Sequence, residues 1–259
     1  MNPTASKLAK ISVWFWIIKI TATTLGETFS DYLSFDDADA LNFGYALTAL
    51  IVIGFFLATL FLQLRTKRHN PTLFWMVILS TSVAGTSISD FIDRTLKMGY
   101  PGGSALLASL LLVLFWFWRG QGGELHVASI SSRRDETFYW FAILISNTLG
   151  TALGDFLAKP EAEHGLGWGF VGSAEVIGAL MLIILLMYSF TRISRVMLFW
   201  FAFILTRPLG ATLGDALTKP HSEGGLDLGK ASSSLVLVVI MAVAILISGR
   251  SQDSETSAQ

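Results

Sequence analysis

The sequence predicts an all-α integral membrane protein, with eight transmembrane helices arranged as four parallel-repeat αα-hairpins around a pseudo-fourfold axis. Three observations predict this class. Only 14% of the 259 residues are charged and 53% are hydrophobic, whereas soluble domains carry about 25% charged residues. Apolar segments of nearly membrane-spanning length recur along the chain. A motif that combines tryptophan, glycine and aspartate occurs four times, with its glycines 59, 65 and 60 residues apart.

Each predicted helix corresponds to one apolar segment. A helix needs about 20 residues to cross roughly 30 Å of hydrocarbon, and no segment alternates as a transmembrane strand would. The eight segments are 11–33, 42–63, 73–92, 103–118, 138–157, 168–190, 196–217 and 232–248. Together they form a single membrane domain over residues 1–259, in which residues 249–259 are expected to be a disordered polar tail.

The four repeats cover about 11–63, 73–118, 138–190 and 196–248, and the motif lies in the odd helix of each. In every repeat a tryptophan precedes the motif glycine by ten residues. The pairs are Trp16 and Gly26, Trp75 and Gly85, Trp140 and Gly150, and Trp200 and Gly210. All odd helices run in the same direction, so the repeats are parallel copies of one hairpin. The tryptophans are expected to form an aromatic belt at the inner interface.

Basic residues in the loops predict the orientation, because cytoplasmic loops carry more Lys and Arg. One side holds eleven: Lys7, Lys10, Arg65, Lys67, Arg68, Arg119, Arg133, Arg134, Arg192, Arg195 and Arg250. The other side holds five: Arg94, Lys97, Lys159, Lys219 and Lys230. Both termini are therefore predicted to be cytoplasmic.

A small residue follows each motif glycine by four positions, on the same helix face. Small residues at this spacing let the backbones of two membrane helices approach closely. The predicted helix-packing residues are Gly26, Ser30, Gly85, Ser89, Gly150, Gly154, Gly210 and Gly214.

An aspartate ends the motif in each repeat, near the outer end of the odd helix. The four are Asp31, Asp90, Asp155 and Asp215. Acids at membrane depth are costly and often functional, and rings of acids build cation paths. The last three aspartates also have a cation four residues later, which is the spacing of an ordinary helical ion pair. These cations are Arg94, Lys159 and Lys219. Both interpretations remain open at this point.

Repeat one departs from the other three. Four residues after Asp31 stands Phe35, and four residues before it stands Glu27, so the two acids share one helix face. Two carboxylates about 6 Å apart can share a proton or bind a hard cation. Glu27 and Asp31 are the candidate metal ligands, with Thr23 as a nearby hydroxyl.

Further polar residues stand inside the apolar segments. Lys19 lies two turns before Glu27, and Asn147 and Arg207 occupy the position three before the motif glycine. A mid-membrane arginine needs an anion, and Asp90, Asp155 and Asp215 have their own neighbouring cations. We therefore expect Arg207 to pair with Glu27, either as a latch that an entering cation displaces or as a structural ion pair.

The residues exclude several function classes. The chain has no cysteine and a net charge of −1, so neither thiolate metal sites nor nucleic-acid binding is expected. It contains no nucleotide loop, nucleophile elbow or HExxH stretch, so we expect neither enzymatic activity nor a cofactor. The leading hypothesis is transport of a small cation, either a divalent metal or one coupled to protons, between the odd helices. The alternative is a membrane scaffold or accessory subunit that transports nothing. The oligomeric state is left open.

The four motifs, with GETFSDYL in repeat one, resemble those of a bacterial family of uncharacterised, repeat-containing membrane proteins described as membrane-anchored. The resemblance covers about residues 14–250. It implies a multi-pass protein of the bacterial inner membrane and gives no catalytic assignment. More distantly, GDFLAKP and GDALTKP look similar in style to acidic-glycine motifs of duplicated membrane cation exporters.

Overall fold

The computed structural model describes residues 8–9, 11–35, 39–66, 69–123, 125, 130 and 132–257, with side chains up to residue 249. It is all-helical, and its eight long helices follow the four repeats. The helices are α1 (Val13–Ser34), α2 (Gly44–Arg65), α3 (Pro71–Asp90), α4 (Gly99–Gly120), α5 (Arg133–Ala158), α6 (Gly169–Phe190), α7 (Arg195–Thr218) and α8 (Lys230–Ser257). A five-residue π-helical turn, Phe91–Thr95, extends α3.

Local sequence explains several helix starts. The side chains of Ser12 and Ser132 accept hydrogen bonds from backbone N–H groups in the first turns of α1 and α5, which satisfies donors that the helix leaves free. Asn70 does the same for α3, whose first residue is Pro71. Proline suits this position because its missing N–H has no acceptor there.

Three predicted boundaries were wrong. Helix α5 begins at Arg133, five residues before the predicted segment, because Ser132 caps it and Asp135 and Glu136 lie in its first turn. Helix α4 begins at Gly99, four residues before the predicted segment, because Pro101 is tolerated in a first turn and Gly99 adopts a positive φ of 68° before it. Helix α8 continues to Ser257, where a disordered tail was expected from residue 249. An established apolar helix adds residues without a new nucleation cost, and no proline interrupts the polar extension. Residues 258–259 lie outside the described part.

The odd helices form a closed inner ring. Helix α1 packs against α3 and α7, and α5 packs against the same two helices from the opposite side. The even helices lie outside this ring, and each packs mainly on the odd helix of the next repeat. Thus α2 packs on α3, α4 on α5, α6 on α7, and α8 returns to α1. The two helices of one hairpin therefore make few contacts with each other, and the second helix packs on the odd helix of the next repeat.

The outer surface is apolar. Seven helices are long and apolar enough to cross a membrane, namely all but α1 among the described helices. Large apolar side chains on the even helices are exposed, for example Leu50, Leu112, Leu185 and Leu246. Continuous exposed apolar surface of this kind is typical of proteins that contact lipid. Helix α1 carries three charged residues, Lys19, Glu27 and Asp31, but the ring buries all of them.

The motif glycines lie where neighbouring odd helices approach most closely. A methyl group added to Gly26 would lie 2.6 Å from Ser82 Cβ, and one added to Gly85 would lie 2.9 Å from Asn147 Cβ. Gly150 meets Arg207 and Gly210 meets Thr23 in the same way. Each glycine thus faces the residue at position minus three of the next repeat, and the fourth repeat closes onto the first.

The second small residues of the motifs have different neighbours. A methyl group on Gly154 would lie 3.2 Å from Ala211 Cβ, and one on Gly214 would lie 2.8 Å from Glu27 Cβ. The Ser30 hydroxyl lies 2.8 Å from the Ser87 hydroxyl on α3. Ser89 instead donates a hydrogen bond of 3.2 Å to Asp93 in the π-helical turn.

Aromatic rings close the end of the ring at which the odd helices begin. The aromatic residue eleven before each motif glycine packs on the tryptophan of the next repeat. The pairs are Phe15 and Trp75, Phe74 and Trp140, Tyr139 and Trp200, and Phe199 and Trp16. The expectation of an aromatic belt facing the lipid interface was therefore wrong for Trp75, Trp140 and Trp200, which are buried. These rings gain more by filling the space between helices than by facing outward.

Candidate functional site

The four motif aspartates lie together at the other end of the inner ring. We call this the aspartate end, and the end with the aromatic rings the tryptophan end. Asp31, Asp90, Asp155 and Asp215 are all buried, each 5% exposed or less. Each aspartate lies in the last turn of its odd helix. The four lie at one level because each follows the closely packed motif glycine by five residues.

Arg207 pairs with Glu27 inside the ring, as the sequence predicted. The Nη2 atom of Arg207 lies 2.8 Å from Glu27 Oε2, and the arginine side chain is fully buried. Arg207 Nη1 donates a hydrogen bond of 3.0 Å to the Thr23 carbonyl oxygen. Thr86 completes the cluster, because its hydroxyl accepts from Arg207 Nη2 and donates to Glu27 Oε2.

Asp31 has a partner that the sequence analysis missed. Lys219 Nζ lies 2.6 Å from Asp31 Oδ2 and 3.3 Å from Asp215 Oδ1, so one ammonium bridges repeats four and one. The sequence shows no cation one helical turn after Asp31, and the structure supplies one from a different helix. Lys219 reaches both acids because α7 lies beside α1 and both helices end at the same level.

Three carboxylates approach one point at this end. One oxygen from each of Glu27, Asp31 and Asp215 lies within 4.8 Å of the others. Formally, these three acids carry −3 and their two partners, Arg207 and Lys219, carry +2, so the cluster has a net charge of −1. Buried charge of this kind needs compensation. A proton or a monovalent cation would bring the cluster to neutrality, and so would a divalent cation that replaced Arg207.

The same bridging occurs between repeats two and three. Arg94 Nε lies 2.9 Å from Asp90 Oδ1, and Arg94 Nη2 lies 3.7 Å from Asp155 Oδ2. Lys159 makes no direct ion pair within 4.0 Å of Asp155, although its charge still acts on that carboxylate. Its ammonium lies 5.1 Å from the centre of the Phe170 ring instead. The spacing of four residues thus predicted Asp90–Arg94 and Asp215–Lys219 correctly, but not the cross-repeat contacts.

Lys19 lies in a separate buried cluster, nearer the tryptophan end. Its Nζ donates a hydrogen bond of 3.1 Å to Asn147 Oδ1 and lies 4.3 Å from the centre of the Phe203 ring. Asn147 Nδ2 in turn donates to the Thr81 hydroxyl at 3.0 Å. The Asn147 amide is thus engaged with these groups. The Thr23 hydroxyl donates to backbone oxygens, including Thr206 O at 3.0 Å.

The sequence predicted the acids and Arg207 but not two of their partners, Thr86 and the contact of Lys219 with Asp31. Thr86 occupies the same repeat position as Glu27, one after the motif glycine. Since equivalent positions of parallel repeats face a shared axis, this register was a signal for Thr86. Lys219 was assigned to Asp215 alone because sequence spacing reports only neighbours on one helix.

Outside the helices, Asp39 ties the first loop to α8. Its Oδ2 accepts a hydrogen bond of 2.6 Å from the Lys230 backbone N–H. Partial burial raises the pKa of Asp39, but this hydrogen bond and the Lys230 ammonium outweigh it, so the pKa lies below the usual 3.8. Asp39 is therefore ionised at neutral pH and holds the start of α8 at the aspartate end.

Fold and site together define a class: an all-helical four-repeat protein with apolar, span-length helices and a buried charged centre. The chain belongs to the family described as a Repeat of Unknown Function (DUF347), which matches residues 14–69, 73–123, 138–194 and 198–254. Neither the curated proteins nor the solved structures contain a match to this chain.

Proposed function

We propose that this chain is a multi-pass protein of the bacterial inner membrane that moves a small cation along the contact between its odd helices. The observation that carries the proposal is the convergence of Glu27, Asp31 and Asp215 at one point inside the ring. Carboxylate oxygens are the ligands that hard divalent cations prefer. The same arrangement of acids can also carry protons.

Arg207 acts as an internal counter-ion in this mechanism. It neutralises Glu27 while no cation is bound, at a distance of 2.8 Å. An entering cation competes with the guanidinium for Glu27 Oε2, and Lys219 is shared between the other two acids. Binding is therefore an exchange of positive charges around fixed carboxylates, which avoids leaving any buried acid uncompensated.

Passage past Arg207 requires the odd helices to separate. Their glycines hold the backbones in direct contact at four successive interfaces, so the present conformation is closed. We propose that the α7–α1 interface opens, because it carries both Arg207–Glu27 and Lys219–Asp31. Rearrangement of one repeat against another is the usual basis of alternating access.

Flux into proteoliposomes tests the proposal. Purified protein is reconstituted, and uptake of Mn²⁺, Co²⁺ and Mg²⁺ is measured with an entrapped metal-sensitive dye, and proton movement with an entrapped pH dye. We expect uptake of at least one of these cations, and its loss in Glu27→Gln and Asp31→Asn. Glu223→Gln, which removes an exposed acid at the same end, is the control and should leave uptake unchanged.

A non-transporting membrane scaffold is the second candidate, and the glycine contacts are the observation that favours it. Four interfaces without room for a methyl group are sufficient to explain the repeated motif as packing. Wild-type vesicles that remain impermeable to all four probes would support the scaffold. Equal uptake by wild type and both acid variants would remove the carboxylates from the path.

A further inference from the structure

A groove opens on the side of the bundle between α1, α6 and α7, in the half near the tryptophan end. Its volume is about 700 Å³, within the range of small-molecule sites. The walls are almost entirely apolar, with Ile17 and Ile20 from α1, Leu185 from α6, and Phe199 and Ala202 from α7. It faces the same surroundings as the exposed apolar surface of the even helices.

Comparison of the repeats shows that this groove is a departure from the pseudo-fourfold pattern. At the equivalent position beside α4, which belongs to repeat two, two aromatic side chains cover the tryptophan of repeat four. Phe115 and Trp118 lie 4.9 Å and 6.4 Å from Trp200, measured between ring centres. Trp200 is 6% exposed as a result.

Helix α6 lacks this cover. Leu185 and Tyr188 lie as far after Gly169 as Phe115 and Trp118 lie after Gly99. Leucine is smaller than phenylalanine, and Tyr188 is engaged elsewhere, with its ring under a guanidinium. Trp16, the tryptophan that this cover would bury, stays partly exposed and lines the groove.

A cation stands at the mouth of the groove. The guanidinium of Arg195 lies 4.2 Å from the centre of the Tyr188 ring and donates a hydrogen bond to the Tyr188 carbonyl oxygen. No carboxylate among the described residues pairs with Arg195. The side chain is exposed, so its charge is available to an anionic group at the edge of the apolar walls.

We propose that this groove binds one anionic glycerophospholipid, with an acyl chain along α1, α6 and α7 and its phosphate on Arg195. The proposal rests on the membrane location proposed above but not on cation transport. Basic residues beside pockets between membrane helices bind anionic headgroups. The apolar walls supply the remaining affinity, since each buried methylene contributes to lipid binding.

Quenching of tryptophan fluorescence by brominated lipid tests the proposal. The protein is reconstituted into phosphatidylcholine vesicles that contain a fixed fraction of dibrominated phosphatidylglycerol or dibrominated phosphatidylcholine. The Trp16 contribution is the difference from a Trp16→Phe variant. We expect phosphatidylglycerol to quench Trp16 at about fivefold lower lipid fraction than phosphatidylcholine, which is the contribution of one basic residue.

Two variants separate the headgroup from the walls. Arg195→Gln should bring the two lipids to equal quenching, whereas Arg119→Gln, at the corresponding end of α4, should not. Leu185→Phe combined with Tyr188→Trp introduces the two aromatic side chains found on α4. It should reduce the quenching of Trp16 by both lipids, measured as the difference from the same double variant that also carries Trp16→Phe. Leu186→Phe, on an exposed part of α6 outside the groove, is its control.

Equal quenching by both brominated lipids in the wild-type protein would overturn the proposal, as would an unchanged preference in Arg195→Gln. Either result would make the groove ordinary lipid-facing surface. Cation uptake measured in the same vesicles reports separately on the proposed function, because Glu27 and Asp31 lie in the ring and not in the groove. A loss of lipid preference with intact uptake is thus distinguishable from a failure of transport.

Discussion

At the scale of single residues, the centre of the molecule is an ion pair that departs from the repeat. Position minus three holds Thr23, Ser82, Asn147 and Arg207, and only the last is charged. Arg207 is fully buried, and Glu27 is 4% exposed. A buried charge without its partner is far more costly than a buried pair, so the two residues should tolerate joint replacement better than single replacement.

We therefore predict that Arg207→Ala lowers the free energy of unfolding by about 3–5 kcal/mol. Arg207→Ala combined with Glu27→Gln should lower it by less, because the double variant leaves no unpaired carboxylate. Urea titrations in mixed micelles, followed by tryptophan fluorescence, provide the comparison. Strictly additive losses in the double variant would show that the two residues are not coupled.

At the scale of helices, the space around a glycine determines whether the structure accommodates alanine at that position. A methyl group on Gly26 would meet Ser82 Cβ at 2.6 Å and the Ser82 carbonyl carbon at 2.9 Å. Backbone cannot move away cheaply in a packed ring. Gly54 lies within α2 and has no neighbouring atom within 4 Å of the added group.

The two glycines should therefore respond to alanine with opposite signs. Gly26→Ala should destabilise the protein by about 1–3 kcal/mol through overpacking. Gly54→Ala should stabilise it by about 0.5–1 kcal/mol, because alanine is the better helix former. Thermal unfolding of the two purified variants and the wild-type protein in the same detergent measures both stability changes. Similar stability of the two variants would contradict the close contact between α1 and α3.

Sequence reasoning predicted the helices and their register more completely than their contacts. The glycine–aspartate spacing placed the acids of the odd helices at one level, and the lone Arg207 pointed to Glu27 because a buried guanidinium needs an anion. The contact of Lys219 with Asp31 was not predictable in the same way. It depends on α7 closing onto α1, and spacing along one helix carries no information about that neighbour. For the same reason, the sequence did not predict that each even helix packs on the odd helix of the next repeat.

At the scale of the whole molecule, the two ends differ in chemistry. Carboxylates and their partners fill the aspartate end, and aromatic rings close the tryptophan end. The termini and loops that the sequence assigns to the side of the tryptophans carry eleven basic residues, against five on the other side. The positive-inside rule predicts that this end faces the cytoplasm and that the buried acids lie toward the outer side.

Cysteine labelling tests this orientation, and the absence of native cysteines makes single-cysteine variants straightforward. Ser222 and Ser194 are exposed at opposite ends. A membrane-impermeant maleimide should label Ser222→Cys in intact cells with a permeable outer membrane, and Ser194→Cys only after lysis. The reverse pattern would invert the molecule, and labelling of both in intact cells would rule out a spanning bundle.

Binding of Mn²⁺ to purified protein tests the central claim, that Glu27, Asp31 and Asp215 hold a cation in competition with Arg207. Arg207→Asn places in repeat four the residue that repeat three carries. Electron paramagnetic resonance of free Mn²⁺ during titration reports the bound fraction. We predict weak binding by the wild-type protein and binding about tenfold tighter or more in Arg207→Asn, because one buried competing charge is removed. Adding Glu27→Gln should abolish that gain. Absence of bound Mn²⁺ in all three proteins, or tight binding that survives Glu27→Gln, would contradict the central claim.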